Sequence, residues 1–262
     1  MTQASNDPDS GSTLVLAVKS NVDDVYAKLR DAILSGDLHA GARLSQVQLA
    51  KKFNMSRGPL REALRLLERD GLVVTEHNRM VHVAPVSYAD LDELYSIRIV
   101  NESFAVARSV QILTGEQVER AKLSLDGMDD AARAADWTRL REQHWKFHYT
   151  LFEPAGRRTV QMLSELFDHA TRYRRLYHES DIQESTAVAA AEHRAIWRAC
   201  ADGHADEAQT LVARHLGRPV LTLFANLAPE RDPVLVRQAL RFAVRSEDER
   251  RQPPERQRRQ SA

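Results

Sequence analysis

The chain has one cysteine, Cys200, in 262 residues. A single thiol excludes an intrachain disulfide framework and the cysteine-rich zinc modules, and it suits a reducing cytoplasm. No apolar run approaches the roughly 20 residues of a membrane-spanning helix. Met1 to Ser12 is polar and lacks the basic start and apolar core of a secretory signal, so a cytoplasmic protein without a membrane partner is expected. Aromatic residues are scarce at 6%, and 37 basic residues are balanced by 37 acidic ones. Zero net charge removes any global electrostatic argument for nucleic acid, and only a local basic surface can supply one. No Ser-His-Asp arrangement or P-loop stands out.

What the chain does have is 43% hydrophobic and 28% charged residues, rich in Ala, Leu, Arg and Glu. That balance predicts a soluble, mainly helical protein with sizeable cores, in one large or two ordinary domains. Residues 1–20 carry no periodic pattern and read as an arm. Val22, Val25, Leu29 and Ile33 then recur at helical spacing, ended by Ser35-Gly36-Asp37. Residues 39–44 read as a turn leading to Ser45, an N-cap for a short helix carrying Val47, Leu49, Ala50 and Phe53.

The next helix has the clearest signals. Ser56 can cap it and Pro59 falls in its first turn. Leu60, Ala63, Leu64 and Leu67 form one apolar stripe, and Gly71 can terminate it. Its other surface carries Arg57, Arg61, Arg65 and Arg69. Alone, this is an ordinary surface helix with solvated arginines. Its setting changes the reading. A short helix precedes it, and two β-rich runs, Leu72 to Thr75 and Met80 to Ala84, follow around the polar Glu76-His77-Asn78-Arg79. Helix, short helix, helix and hairpin make a winged helix-turn-helix over residues 21–86, whose third helix suits a DNA major groove. The wing tip, His77, Asn78 and Arg79, could reach phosphates or the minor groove.

From residue 87 the pattern is helical throughout. Ser87 to Asp90 resembles a capping box with a shortened acid, Thr114 to Gln117 matches one fully, and Asp136 can cap a third helix. Breaks at 154–156, 179–185 and 203–204 divide residues 87–228 into six helices, an antiparallel bundle with short connections. Residues 229–262 read as one more helix, through Val236, Leu240 and Ala243, and a disordered charged tail.

Residues 22–84 resemble the winged-helix domain of the GntR family. The phrases that carry this are Leu29-Arg30-Asp31-Ala32-Ile33-Leu34-Ser35-Gly36-Asp37-Leu38, Gly41-Ala42-Arg43-Leu44, Leu49-Ala50, and Ser56-Arg57-Gly58-Pro59-Leu60-Arg61-Glu62-Ala63-Leu64. The helical remainder resembles the effector domain of the FadR subfamily, called FCD, through Tyr95-Ser96-Ile97-Arg98-Ile99-Val100-Asn101-Glu102, Phe147-His148, Glu192-His193 and Ala208 to Leu216. The resemblance implies a homodimeric, ligand-responsive transcription factor, more often repressor than activator, on a short inverted repeat of double-stranded DNA. It implies Arg57 and Arg61 as base readers, Ser56 and Gly58 near the backbone, and Arg43 and Lys51 beside phosphates. The chain departs from the family at Gly58, often Thr, and at Met80, usually Gly.

His144 and His148 lie four apart on one helix and point the same way. In the FCD domain a metal sits among an Asp and three His. His148, His193 and His215 match the His positions, and His144 falls where the family has Asp. Four imidazoles suit a divalent transition metal, zinc or nickel foremost, and losing the carboxylate disfavours hard ions. A metal with an open position would accept the carboxylate of a small organic acid. Arg98 could hold that carboxylate in a bidentate pair, or could instead pair with Glu102 one turn on. Asn101, Arg172 and Tyr173 are further effector-binding candidates. Two competing readings are a sensor of carboxylate or acyl ligands without metal, and a metal-dependent hydrolase. The hydrolase is disfavoured because Trp145 stands where a zincin helix needs Glu after its first His.

Overall fold

A computed structural model describes residues 21–76, 80–85, 87–179 and 184–244, without the side chains of 172, 174–179 and 184–186. The arm, the wing tip with His77, Asn78 and Arg79, the Arg172 side chain and the charged tail lie outside the described residues. The chain is mainly helical, in a winged helix-turn-helix followed by an all-helical domain.

The first unit contains α1 (Val22–Ser35), β1 (Arg43–Leu44), α2 (Gln46–Lys52), α3 (Arg57–Arg69), β2 (Val73–Thr75) and β3 (Val81–Val83). The stripe of α3 is wholly inside, with Leu60, Ala63 and Leu67 at 0% exposure, packed on Val25 and Leu29 of α1. Between α2 and α3, Asn54 takes a left-handed φ of 50°, which its short polar side chain tolerates. Ser45 caps α2 by accepting from the Gln48 amide. Ser56 occupies the cap position of α3 with extended backbone, but its hydroxyl makes no capping bond, contrary to the expectation from sequence. The hairpin forms as expected. A third strand was missed: β1 pairs antiparallel with β3, giving the order β1-β3-β2. Two residues are too few to show a period-2 pattern.

The second unit contains α4 (Tyr88–Val110), α5 (Gly115–Arg133), α6 (Trp137–Phe152), α7 (Arg157–Glu179), α8 (Glu184–Ala201), α9 (Ala205–Leu227) and α10 (Val234–Ala243). The cap residues act as their types dictate: Ser87 accepts from the Asp90 amide, Thr114 and Gln117 form a reciprocal box, and Asp136 accepts from the Arg139 amide. Helix α4 is the hub, touching α6, α7, α9 and α10.

Helix α10 belongs to this core, burying Val236, Ala239 and Ala243. Pro233 precedes it without a side-chain cap. The cap comes from α4: the carboxylate of Asp92 accepts the Leu235 and Val236 amides at 3.1 and 2.9 Å. These orphan donors lie at the positive end of the helix dipole, where a carboxylate is best placed. Leu240 fits a notch at Gly217, where an added Cβ would stand 2.9 Å from its methyl groups. Asp92→Ala is therefore expected to cost about 1–2 kcal/mol, seen as a thermal midpoint lowered by a few degrees.

Candidate functional site

Two groups of side chains stand out. The first is the exposed surface of α3. Ser56, Arg57, Gly58 and Arg61 are all exposed at its N-terminal end, and Arg43 on β1 and Lys51 on α2 are exposed as well. The four arginines differ in their surroundings. Arg65 pairs with Glu62 at 3.5 Å and Arg69 with Asp70 at 3.3 Å. Arg57 and Arg61 have no carboxylate partner among the described residues. The unneutralised guanidinium charge of the helix is thus concentrated at its N-terminal half.

The second group lies inside the helical unit. His144 and His148 of α6, His193 of α8 and His215 of α9 are all buried. One ring nitrogen from each lies within 4.8 Å of the others. The nearest ring pair, His193 and His215, has centroids 4.3 Å apart. The structure therefore brings together all four predicted histidines, including His144 in the place of an aspartate.

Carboxylates hold two of these rings from behind. His148 Nδ1 donates to Glu102 Oε1 at 2.7 Å, and His215 Nδ1 donates to Glu192 Oε2 at 2.8 Å. With the proton on Nδ1, each ring turns its Nε2 lone pair toward the cluster. Burial is the largest influence on His148 and pushes its pKa down to about 4, against the pull of Glu102. Its ring is neutral near pH 7 and free to donate a lone pair. Burial alone would push Glu102 up, but Arg98 and His148 outweigh it and hold the carboxyl at about 2. His148 Nε2 is buried and has no hydrogen-bond partner among the described residues. A buried orphan nitrogen facing three further imidazoles fits a cation. Around a tetrahedral zinc the ligand nitrogens stand ~3.4 Å apart, so the four rings would draw inward to hold one.

Arg98 pairs with Glu102 at 2.8 Å, the i,i+4 pair that the sequence left open, and it is 3% exposed. It also faces a cavity. That cavity, about 140 Å³, opens from His144, His193 and His215 between α4, α5, α8 and α9. Arg98 Nε is buried and has no hydrogen-bond partner among the described residues. Asn101 and Tyr173 are not among the residues lining it. Asn101 donates back to the Ile97 carbonyl of its own helix at 2.8 Å. The Tyr173 hydroxyl donates to Asp90, tying α7 to the start of α4. Sequence reasoning missed Glu192 and Arg218. Arg218 donates through Nε and a terminal amine to Glu192 at 2.6 and 2.9 Å, fixing the carboxylate that orients His215. The only hint was their position, Glu192 beside His193 and Arg218 three after His215.

Cys200 is buried in α8, and burial pushes its thiol up to about 12. It therefore offers neither a nucleophilic thiolate nor a metal ligand.

A winged helix-turn-helix with an open arginine face, joined to a helical domain with an internal cavity that opens from buried histidines, defines a DNA-binding regulator. The profile described as bacterial regulatory proteins, gntR family, covers residues 21–83, and the FCD domain profile covers residues 93–218. The chain belongs to the GntR family of bacterial transcriptional regulators, with an FCD domain as its second unit, and is not an enzyme. It is 32% identical over 176 residues to the uncharacterized HTH-type regulator BphR of Paraburkholderia xenovorans, covering 64% of this chain and 71% of that one. It is 30% identical over 158 residues to the HTH-type transcriptional repressor GlaR of Escherichia coli, covering 58% of this chain and 71% of that one. A GntR regulator structure from Rhodococcus superimposes with a TM-score of 0.67 at 28% identity, over 78% of this chain and 98% of that one. Among the described residues no helix is long and apolar enough to cross a membrane.

Glu102 touches both Arg98 and His148, so Glu102→Ala leaves two buried polar groups without their partner. A loss of about 3–5 kcal/mol is expected, measured by urea denaturation of metal-free protein.

Proposed function

We propose that the chain is a cytoplasmic, homodimeric repressor of the FadR type that reads a short inverted repeat and is controlled by an organic acid held at a metal in its FCD domain. The observation that carries the sensing part is the buried cluster of four histidines, two of them braced by carboxylates, opening on a cavity with a half-satisfied arginine. His144, His148, His193 and His215 would hold the ion. All-nitrogen donors favour zinc or nickel over the harder magnesium or manganese. Bound there, the ion would supply a Lewis-acidic anchor for an anionic ligand. Arg98 would present its Nε beside it, its charge kept in place by Glu102.

On the DNA side, Arg57 and Arg61 are free to donate in pairs to guanine O6 and N7, with Arg43 and Lys51 beside phosphates. Ser56, its hydroxyl not engaged in capping, and Gly58, with open space around it, allow the backbone to come close. His77, Asn78 and Arg79 would extend the contact through the wing. The effector must favour one disposition of the winged domains over another, or nothing shifts.

Arg57→Ala is expected to remove about 1–3 kcal/mol of discrimination between operator and unrelated duplex, and Arg69→Ala to leave it within a few tenths. Footprinting and competition binding read both, and the reverse order would overturn this orientation of α3. Purified without chelator, the chain is expected to carry a stoichiometric divalent metal by elemental analysis, sharply depleted in His148→Ala. A metal-free chain that still answers organic acids would favour the metal-independent sensor.

A further inference from the structure

The walls of the FCD cavity say more about the ligand than its anchor does. At one end stand Arg98 and the histidines. Away from that end the lining is hydrocarbon: Leu125 and Met128 of α5, Leu140 of α6, and Leu216, Val220 and Leu223 of α9. No Ser, Thr, Asn or Gln lines it among the described residues. Apart from the histidines, its one neutral polar side chain among the described residues is Tyr95, whose ring lies against the Arg98 guanidinium at 5.2 Å. The charged groups on the wall are already committed within the protein. Arg194 pairs with Asp129 at 2.5 Å, and Arg218 with Glu192. Among the described charged groups of the wall, Arg98 keeps a buried N–H without an acceptor.

A polyhydroxylated acid would have to bury several hydroxyls against these methyl groups. Each unpaired hydroxyl weakens binding by roughly tenfold or more. An apolar ligand body meets no such cost and gains from burial. The cavity of about 140 Å³ is close to the ~150 Å³ engineered cavity that accepts benzene.

We infer that the effector is a monocarboxylate with an apolar body of about one ring, its carboxylate at the Arg98–histidine end and its body against α5 and α9. This rests on the reading of the cavity as a carboxylate sensor and narrows it. Pro219 sharpens the shape of that wall. It stands in α9 four residues after His215 and lines the cavity, and without an N–H it adds only hydrocarbon there.

Calorimetric titration of the full metal-loaded chain with benzoate, 4-methylpentanoate, gluconate and benzamide tests the inference. Benzoate or 4-methylpentanoate is expected to bind at least tenfold more tightly than gluconate, and benzamide, lacking the charge, to bind far more weakly than benzoate. Met128→Gln places an amide on the apolar wall and is expected to weaken benzoate about tenfold while metal content stays near that of the parent. Gluconate binding more tightly than benzoate would overturn the apolar body and leave the carboxylate sensor standing. Benzamide matching benzoate, or no carboxylate binding at all, would overturn both. An unchanged benzoate affinity in Met128→Gln would move the ligand out of this cavity.

Discussion

A single buried carboxylate organises the centre of the helical domain. Glu102 stands on α4, the helix that touches α6, α7, α9 and α10, and is 1% exposed. Burying a carboxylate is expensive unless it is paired and its lone pairs are used. Here Arg98 supplies the charge from one turn away and His148 the second donor from α6. Each consequence follows from that satisfaction. The Arg98 guanidinium is held inside and not released to solvent. The His148 proton is fixed on Nδ1, which turns the lone pair on Nε2 toward the other imidazoles. Helices α4 and α6 are locked in register by a bond that tolerates little sliding.

The same centre is joined mechanically to the first domain through three consecutive residues of α7. Phe167 packs into the site, its ring 5.5 Å from His144 and 5.4 Å from the Arg98 guanidinium. Asp168 forms an ion pair with Arg30 of α1. Burial would lower the Arg30 pKa, but Asp168 more than offsets it and raises it, so the pair remains charged. His169 packs on Gly71, where an added Cβ would stand 3.1 Å from its ring and where φ is +66°. Gly71 directly follows α3, and Asp70 beside it accepts from Tyr26 of α1 at 2.7 Å. The C-terminal end of α3 is therefore clamped between α1 and α7, while its N-terminal end is exposed. A rotation of α7 that repacks Phe167 would carry Asp168 and His169 with it, because helical neighbours cannot move independently.

The elements were largely legible from sequence because their signals are local. Helical spacing, caps at Ser45, Ser87, Thr114 and Asp136, and glycine stops placed every helix, and the hairpin followed from two β-rich runs. What escaped depends on distant partners. β1 is two residues long and exists only because β3 lies alongside. The capping of α10 comes from Asp92, 143 residues earlier. The Glu192 carboxylate acquires its role from His215 and Arg218 on a different helix. Asn101 falls on a cavity-lining helix and Tyr173 on α7, which lines none of it, and both spend polar atoms on α4. Sequence period gives the face of a helix, and only packing decides which residue on that face meets the cavity. The histidines were recoverable because four ligands of one type at matching positions form a set rather than a periodicity.

Zero net charge shapes the DNA-binding face. A strongly basic protein binds any duplex through counterion release, and its specificity must be won against that background. Here the acidic residues cancel the long-range field and also act locally. Glu62 and Asp70 neutralise Arg65 and Arg69 on the C-terminal half of α3. On α3 itself the remaining positive charge is Arg57 and Arg61 at the N-terminus of the helix, where the backbone dipole adds to it. The attraction is thus short-ranged and aligned with the groups that can read base edges. Under the proposed function, such a surface would gain most from the correct guanines, and two copies on an inverted repeat would multiply that difference. In the proposed homodimer, a modest change in the spacing of the two recognition helices would suffice to release the operator. Helix α7, seated on both the histidine site and the end of α3, is suited to deliver that change.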